Sequence, residues 1–327
     1  MGKLIKGLVK QIKKLGTKYR KLLLIGLIVY GLILLGIGTF IGSFFNKATL
    51  DKFPELNRDS KILIAAPHID DEVIATGGLI QKAIKAGAEI KIIYLTNGDN
   101  NLNSVIVDED KNLKIGPDDF ITLGETRMAE GRQAAKDLGL SDKNLEFLGY
   151  PDQGLSQLFN NYYSADKKYS AKGIKFTYNP YAGTYRSKQD YNGENIVNDL
   201  STIMNSFQPN ILIIPHPLDQ HPDHKATFRF FDKILAENPK QNNIKVWLYL
   251  VHYKNYPADK LVAPNKFLFP PSKLFSQSGW FSLDLDKDEI QVKLKALSEN
   301  KTQLVKIPLL DLRMFIRRNE IFEIHEF

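Results

Sequence analysis

Residues 61–95 read KILIAAPHIDDEVIATGGLIQKAIKAGAEIKIIYL. Lys61–Ala66 is an apolar run of the kind buried on both faces of a parallel sheet. Val73–Ala86 has helical spacing and is closed by Gly87, and Glu89–Leu95 is a second strand. The alternation continues along the chain. Leu123–Leu138 is a helix stopped by Gly139, and Leu145–Leu148 is a short strand. Asn195–Phe207 is helical, Ile211–Pro215 is a buried strand, and His224–Ala236 is helical again. Lys245–His252 is a strand and Lys287–Lys301 a charged helix. Strands alternating with helices give an α/β class, a Rossmann-like, mostly parallel sheet with helices on both faces.

No cysteine occurs among the 327 residues, which excludes disulfides, thiolate metal sites and a cysteine nucleophile. Hydrophobic residues make up 43% and charged residues 25%, which suits a packed globular protein. The net charge of +7 belongs to one end. Lys3, Lys6, Lys10, Lys13, Lys14, Lys18, Arg20 and Lys21 lie in residues 1–21 with no acid, which leaves −1 for the rest. A nucleic-acid-binding domain carries its basic patch on the folded part, so no nucleic-acid partner is expected.

Leu22–Phe45 (LLLIGLIVYGLILLGIGTFIGSFF) carries no formal charge. About 20 apolar residues suffice to cross a bilayer as a helix. The run is longer than the apolar region of a cleaved signal peptide and ends in Ser43-Phe44-Phe45-Asn46, a poor cleavage site. The expected organisation is a basic cytoplasmic tail over 1–21, one transmembrane helix over 22–45, a polar linker over 46–60 and a folded domain over 61–327. The charge cluster before the span would keep the N-terminus cytoplasmic and place the domain outside the cell membrane. Leu4, Leu8, Ile12 and Leu15 recur at helical spacing among the lysines, so the tail could also lie on anionic membrane lipid. Residues 160–192 fit no regular element and hold Tyr162, Tyr163, Tyr169, Tyr178, Tyr181, Tyr185 and Tyr191. These rings suit sugar contacts, and they equally suit packing of the loop onto the body.

In an open parallel sheet, ligands bind beyond the carboxyl ends of strands. Two strands end in residues that ligate metals. One continues as His68-Ile69-Asp70-Asp71-Glu72 and the other as His216-Pro217-Leu218-Asp219-Gln220-His221-Pro222-Asp223-His224. Four of the six histidines fall there; His252 and His325 are left as ordinary. A hydrolytic zinc site needs three protein ligands and an open position. It also needs a base beside the water that is not itself a ligand. Of Asp70 and Asp71, one can face the metal and the other the water. His221 and His224 can divide the work in the same way. The acids could instead only cap the next helix, but a second His/Asp cluster at another strand end favours the metal site.

Pro67-His68-Ile69-Asp70-Asp71-Glu72 and His221-Pro222-Asp223-His224 resemble the paired signatures of the PIG-L/LmbE-like family of zinc-dependent N-deacetylases. That family usually has proline where Ile69 stands, a change that spares every polar group. Weaker likenesses follow in Arg127, Glu130 and Ala134, in Phe147-Leu148-Gly149-Tyr150-Pro151-Asp152, in Thr302-Gln303 and in Arg317-Arg318-Asn319-Glu320. The resemblance implies His68, Asp71 and His224 as zinc ligands, Asp70 as general base, and His221 as the group that stabilises the oxyanion or protonates the leaving amine. It implies Arg127 and Asp152 as contacts to substrate hydroxyls. Asp223, Asp219 and His216 are expected as supporting groups behind the ligands. The implied substrate is an N-acetylated amino sugar, in a cell-envelope glycan or a glycolipid headgroup.

Overall fold

The computed structural model describes residues 19, 21–22, 25–34, 36–37, 50–108, 115–238, 243–275, 279–304 and 312–325. Two compact units are distinguished, Met1–Leu50 and Asp51–Phe327. In the first, residues 25–34 are helical. Among the described residues no helix is long and apolar enough to cross a membrane. The transmembrane helix expected over Leu22–Phe45 is corrected accordingly. The fold class with an anchor and the single-pass, extracytoplasmic placement rested on that span and fall with it; the lipid contact expected of the basic tail falls on residues outside the described ones. Residues 23–24, 35 and 38–45 of the span, and 1–18 and 20 of the tail, lie outside the described residues.

The second unit is a mixed α/β fold. Its strands are β1 (Asp51–Lys52), β2 (Lys61–Ala66), β3 (Glu89–Thr96), β4 (Leu145–Tyr150), β5 (Ile211–Pro215), β6 (Lys245–Tyr249), β7 (Trp280–Asp284) and β8 (Asn319–His325). Its helices are α1 (Asp71–Ala86), α2 (Leu102–Asp108), α3 (Pro117–Asp137), α4 (Leu155–Asn160), α5 (Gly193–Phe207), α6 (Pro222–Glu237), α7 (Ser272–Phe275) and α8 (Lys287–Ser298). One sheet runs in the order β1-β7-β8-β6-β5-β2-β3-β4. β8 is antiparallel to both β6 and β7, and the other pairs are parallel. From β2 the chain builds outward through β3 and β4, then returns to the other side of β2 as β5 and β6. The strand order reverses between β2 and β5, and that is where such sheets open a crevice.

Side chains alternate across a strand, and here both sides are buried. Leu63, Ala65, Ile93, Leu95, Leu212 and Ile214 pack into one core with Ile196, Leu200, Phe230 and Phe231 of α5 and α6. Ile62, Ile64, Ile92 and Ile213 point the other way and are equally inaccessible. Helix α3 starts six residues before the expected Leu123. Pro117 opens it, and Asp119 accepts from the Gly116 N–H at 2.7 Å.

Helix α1 is held from outside by an ion pair. Lys293 Nζ donates to Glu320 Oε1 at 2.6 Å and to the Ile74 carbonyl at 2.8 Å. Glu320 in turn accepts from Gly78 N and Leu79 N at 2.7 and 2.8 Å. Gly78 leaves room for Leu285 there: a Cβ would stand 2.2 Å from Leu285 Cδ2.

Candidate active site

The loops leaving β2 and β5 meet in the crevice. Asp71 Oδ2 is the point of convergence: it lies 3.3 Å from His68 Nδ1 and 3.2 Å from His224 Nε2. It also accepts from the His68 backbone N–H at 3.0 Å. His221 caps α6, its Nδ1 accepting from Asp223 N at 3.2 Å. Its ring sits edge-on to His68, centroids 4.6 Å apart. Three groups of donors, His68/His221/His224, Asp71/His224/His252 and His68/Asp152/Asp223, each offer atoms within 4.8 Å of one another.

This donor set fits zinc. It supplies imidazole nitrogens and carboxylate oxygens, the ligands that metal takes. His224 is fully buried, yet neither ring nitrogen has a hydrogen-bond partner among the described residues. Its approaches to Asp71 and to Asp219 Oδ2, the latter at 3.3 Å, lack hydrogen-bond geometry. Without a metal, the cluster recruits protons. Burial opposes charging His224, but Asp219 and Asp71 outweigh it and raise its pKa to about 10. His68 is likewise raised, burial being overcome by Asp152, Asp223 and Asp71. Asp71 is held well below the carboxylate range by His224 and His68 in spite of its burial. A carboxylate cage that demands positive charge can take it as a cation.

The supporting acids are distributed unequally. Asp219 holds the β5 and β6 loops together: it accepts from His221 N at 2.9 Å, Val251 N at 3.1 Å and His252 N at 2.9 Å. Asp223 stands 3.4 Å from His68 Nε2 and accepts from Gln153 N and Leu155 N. His216 turns away, with Nε2 2.6 Å from Glu323 and its ring stacked on Trp280.

Asp152 Oδ1 faces His68 Nε2 at 3.4 Å, and its Oδ2 accepts from Asn100 N. Arg127 is buried, and its guanidinium is taken up by the Gly98 carbonyl, Ser104 Oγ and Thr302 Oγ1. Asp70 is buried too, and burial together with the charge of Asp71 pushes its carboxyl well up.

His252 was not expected here. It lies past the end of β6, with its ring 4.7 Å from that of His224 and 5.2 Å from that of His221. The apolar run before it marked it as a strand-end residue. Only the strand order, which places β6 beside β5, puts it at the crevice. Among the loop tyrosines, Tyr169, Tyr181 and Tyr191 are buried, and Tyr162, Tyr163 and Tyr185 pack partly into the core. Packing accounts for these six. Tyr181 also donates to Asp99 Oδ2 at 2.6 Å, behind Asp152.

Comparison with known proteins agrees with this layout. No curated protein matches the chain. Among solved structures, N,N'-diacetylchitobiose deacetylase from Pyrococcus horikoshii is similar at 20% identity, over 82% of this chain and 85% of that one, with a TM-score of 0.50. The pseudoaglycone deacetylase of the antimicrobial reagent A40926 is similar at 15% identity, over 82% and 98%, with a TM-score of 0.52. A deacetylase of the teicoplanin biosynthesis pathway follows at 14% identity, over 80% and 96%, with a TM-score of 0.50. At these identities the likeness shows the fold. The family model PIG-L, GlcNAc-PI de-N-acetylase, matches residues 63–235, more than half of the chain and both metal-type motifs. The chain belongs to the PIG-L family.

Proposed function

We propose that this chain is a zinc-dependent hydrolase that removes the acetyl group from N-acetylglucosamine-bearing compounds, with His68, Asp71 and His224 as the metal ligands. The observation that carries the reading is the convergence of His68 and His224 on Asp71 Oδ2. Zinc bound there supplies a Lewis acid that polarises the acetamide carbonyl and makes water acidic near neutral pH.

The chain's own groups do the rest. Asp70 takes a proton from the attacking water, and burial together with the charge of Asp71 raises its proton affinity. His221 accepts through Nδ1, so its proton sits on Nε2. Burial disfavours a charge on His221, so the neutral ring donates a hydrogen bond to the developing oxyanion. Asp70 then returns the proton to the leaving nitrogen, which gives acetate and an amine. Arg127 holds the Gly98 loop beside the crevice and offers its remaining N–H groups to substrate hydroxyls. Asp152 keeps His68 in place and turns its remaining lone pairs to substrate hydroxyls.

The test is acetate release by the purified protein from N-acetylglucosamine, N,N'-diacetylchitobiose and N-acetylglucosaminyl-phosphatidylinositol, with and without chelator. Release from at least one that stops with chelator and returns with zinc is expected. Release from none would overturn the reading.

A further inference from the structure

Asp70 has a backbone rare for a residue with a side chain, φ 144° and ψ −28°. Such a conformation is strained and persists only where its surroundings over-determine it. Asp70 also stands at the N-cap of α1, where an aspartate normally accepts a helix N–H and stabilises the helix. Here its side chain makes no capping bond. A strained backbone and a forgone cap both leave the carboxylate uncommitted.

Two side chains grip the peptide unit before it. The Asp70 N–H donates to Glu72 Oε2 at 3.0 Å, and Gln303 Nε2 donates to the Ile69 carbonyl. A peptide unit is planar, so fixing its C=O and its N–H fixes the rotation of the plane, and with it the φ of Asp70. Gln303 is itself anchored through its neighbour. Thr302 N and Oγ1 donate to the two oxygens of Glu130 at 3.0 and 2.7 Å, and Arg127 Nε donates to Thr302 Oγ1 at 3.2 Å. On the other side Ile69 is fully buried against Gly131, where a Cβ would come within 2.7 Å of Ile69 Cγ2.

We infer that Glu72 and Gln303 are positioning residues that clamp the Ile69–Asp70 peptide and so aim the Asp70 carboxylate away from the metal ligands and toward the reacting water. The inference rests on the proposed role of Asp70 as base. It gives separate tasks to three consecutive acids: Asp70 reacts, Asp71 ligates, and Glu72 orients.

The experiment compares Gln303→Met, Glu72→Leu and Glu72→Gln with the unaltered protein, each also combined with Asp70→Asn. Readouts are kcat and KM for acetate release, zinc content, and hydrogen exchange at the Asp70 amide. Gln303→Met should lower kcat about 10–100-fold, the usual cost of a misaligned reacting group. KM and zinc content should hold, and the Asp70 amide should exchange faster. In the Asp70→Asn background the same change should cost little more, because the aimed carboxylate is already gone. Glu72→Gln keeps an acceptor and should lose less than Glu72→Leu. Equal fold losses with and without Asp70, equal losses for the two Glu72 variants, or an unchanged kcat in Gln303→Met would overturn the clamp. If the unaltered protein releases no acetate, the hydrolase reading fails by itself. Unchanged amide exchange in Gln303→Met would then reject the clamp independently.

Discussion

Asp70 and Asp71 are neighbours with opposite electrostatics, one pushed up by burial and a like charge, the other held down by two histidines. On the proposed mechanism, Asp70→Asn removes the base and little else. It should keep zinc and lose roughly 10²–10⁴-fold in kcat, the range of general-base catalysis, as read by acetate release beside metal analysis. His224 gives a second residue-scale prediction. In the metal-free protein its pKa is raised from 6.5 to about 10. The folded chain therefore holds a proton that the unfolded chain releases, so this contribution is whole below about pH 6.5 and is lost as pH rises through 10. Thermal unfolding in chelator should show the midpoint falling across that window, and the His224→Gln variant should show a flatter profile. Ligation needs the neutral ring, so zinc uptake should release protons over the same range. That His68, Asp71 and His224 lie together was legible because His and Asp clustered at two strand ends. No pattern in the sequence announces that Gly98, Ser104 and Thr302 take up the Arg127 guanidinium.

At the scale of elements, α1 carries the first motif at its start and is gripped at its middle. Lys293→Met would leave Glu320 buried and uncompensated, at a cost of about 3–5 kcal/mol, read as a lower urea midpoint. Gly78→Ala sets two effects against each other. Alanine favours a helix by about 1 kcal/mol over glycine, whereas overpacking costs about 1–3 kcal/mol. With Leu285 Cδ2 only 2.2 Å away the clash wins, so the variant should be less stable. The interior strands β2, β3 and β5 were legible as apolar runs. Strands β7 and β8 were not. They pair antiparallel, and Trp280–Asp284 and Asn319–His325 mix polar with apolar residues, so no continuous run marks them.

At the scale of the molecule, the site exists because the strand order reverses between β2 and β5, which the alternation of elements could not reveal. Ile62 pairs with Ile211, so the central seam joins residues separated by about half the chain. The resemblance named His68 and His224, but only the seam makes them neighbours. This has a kinetic consequence. Closing so long a loop precedes any reward from the contacts it forms, and folding rates fall as contacts grow more distant in sequence. On the proposed reading the metal donors come together only after the seam has closed, so zinc would not nucleate the fold. Stopped-flow refolding should run at the same rate with zinc or with chelator, while unfolding in denaturant should be slower with zinc. In a cell, a chain still leaving the ribosome would carry the first motif with nothing to bind until β5 arrived. Loss of free metal would then shorten the life of the finished protein and leave the yield of folding unchanged.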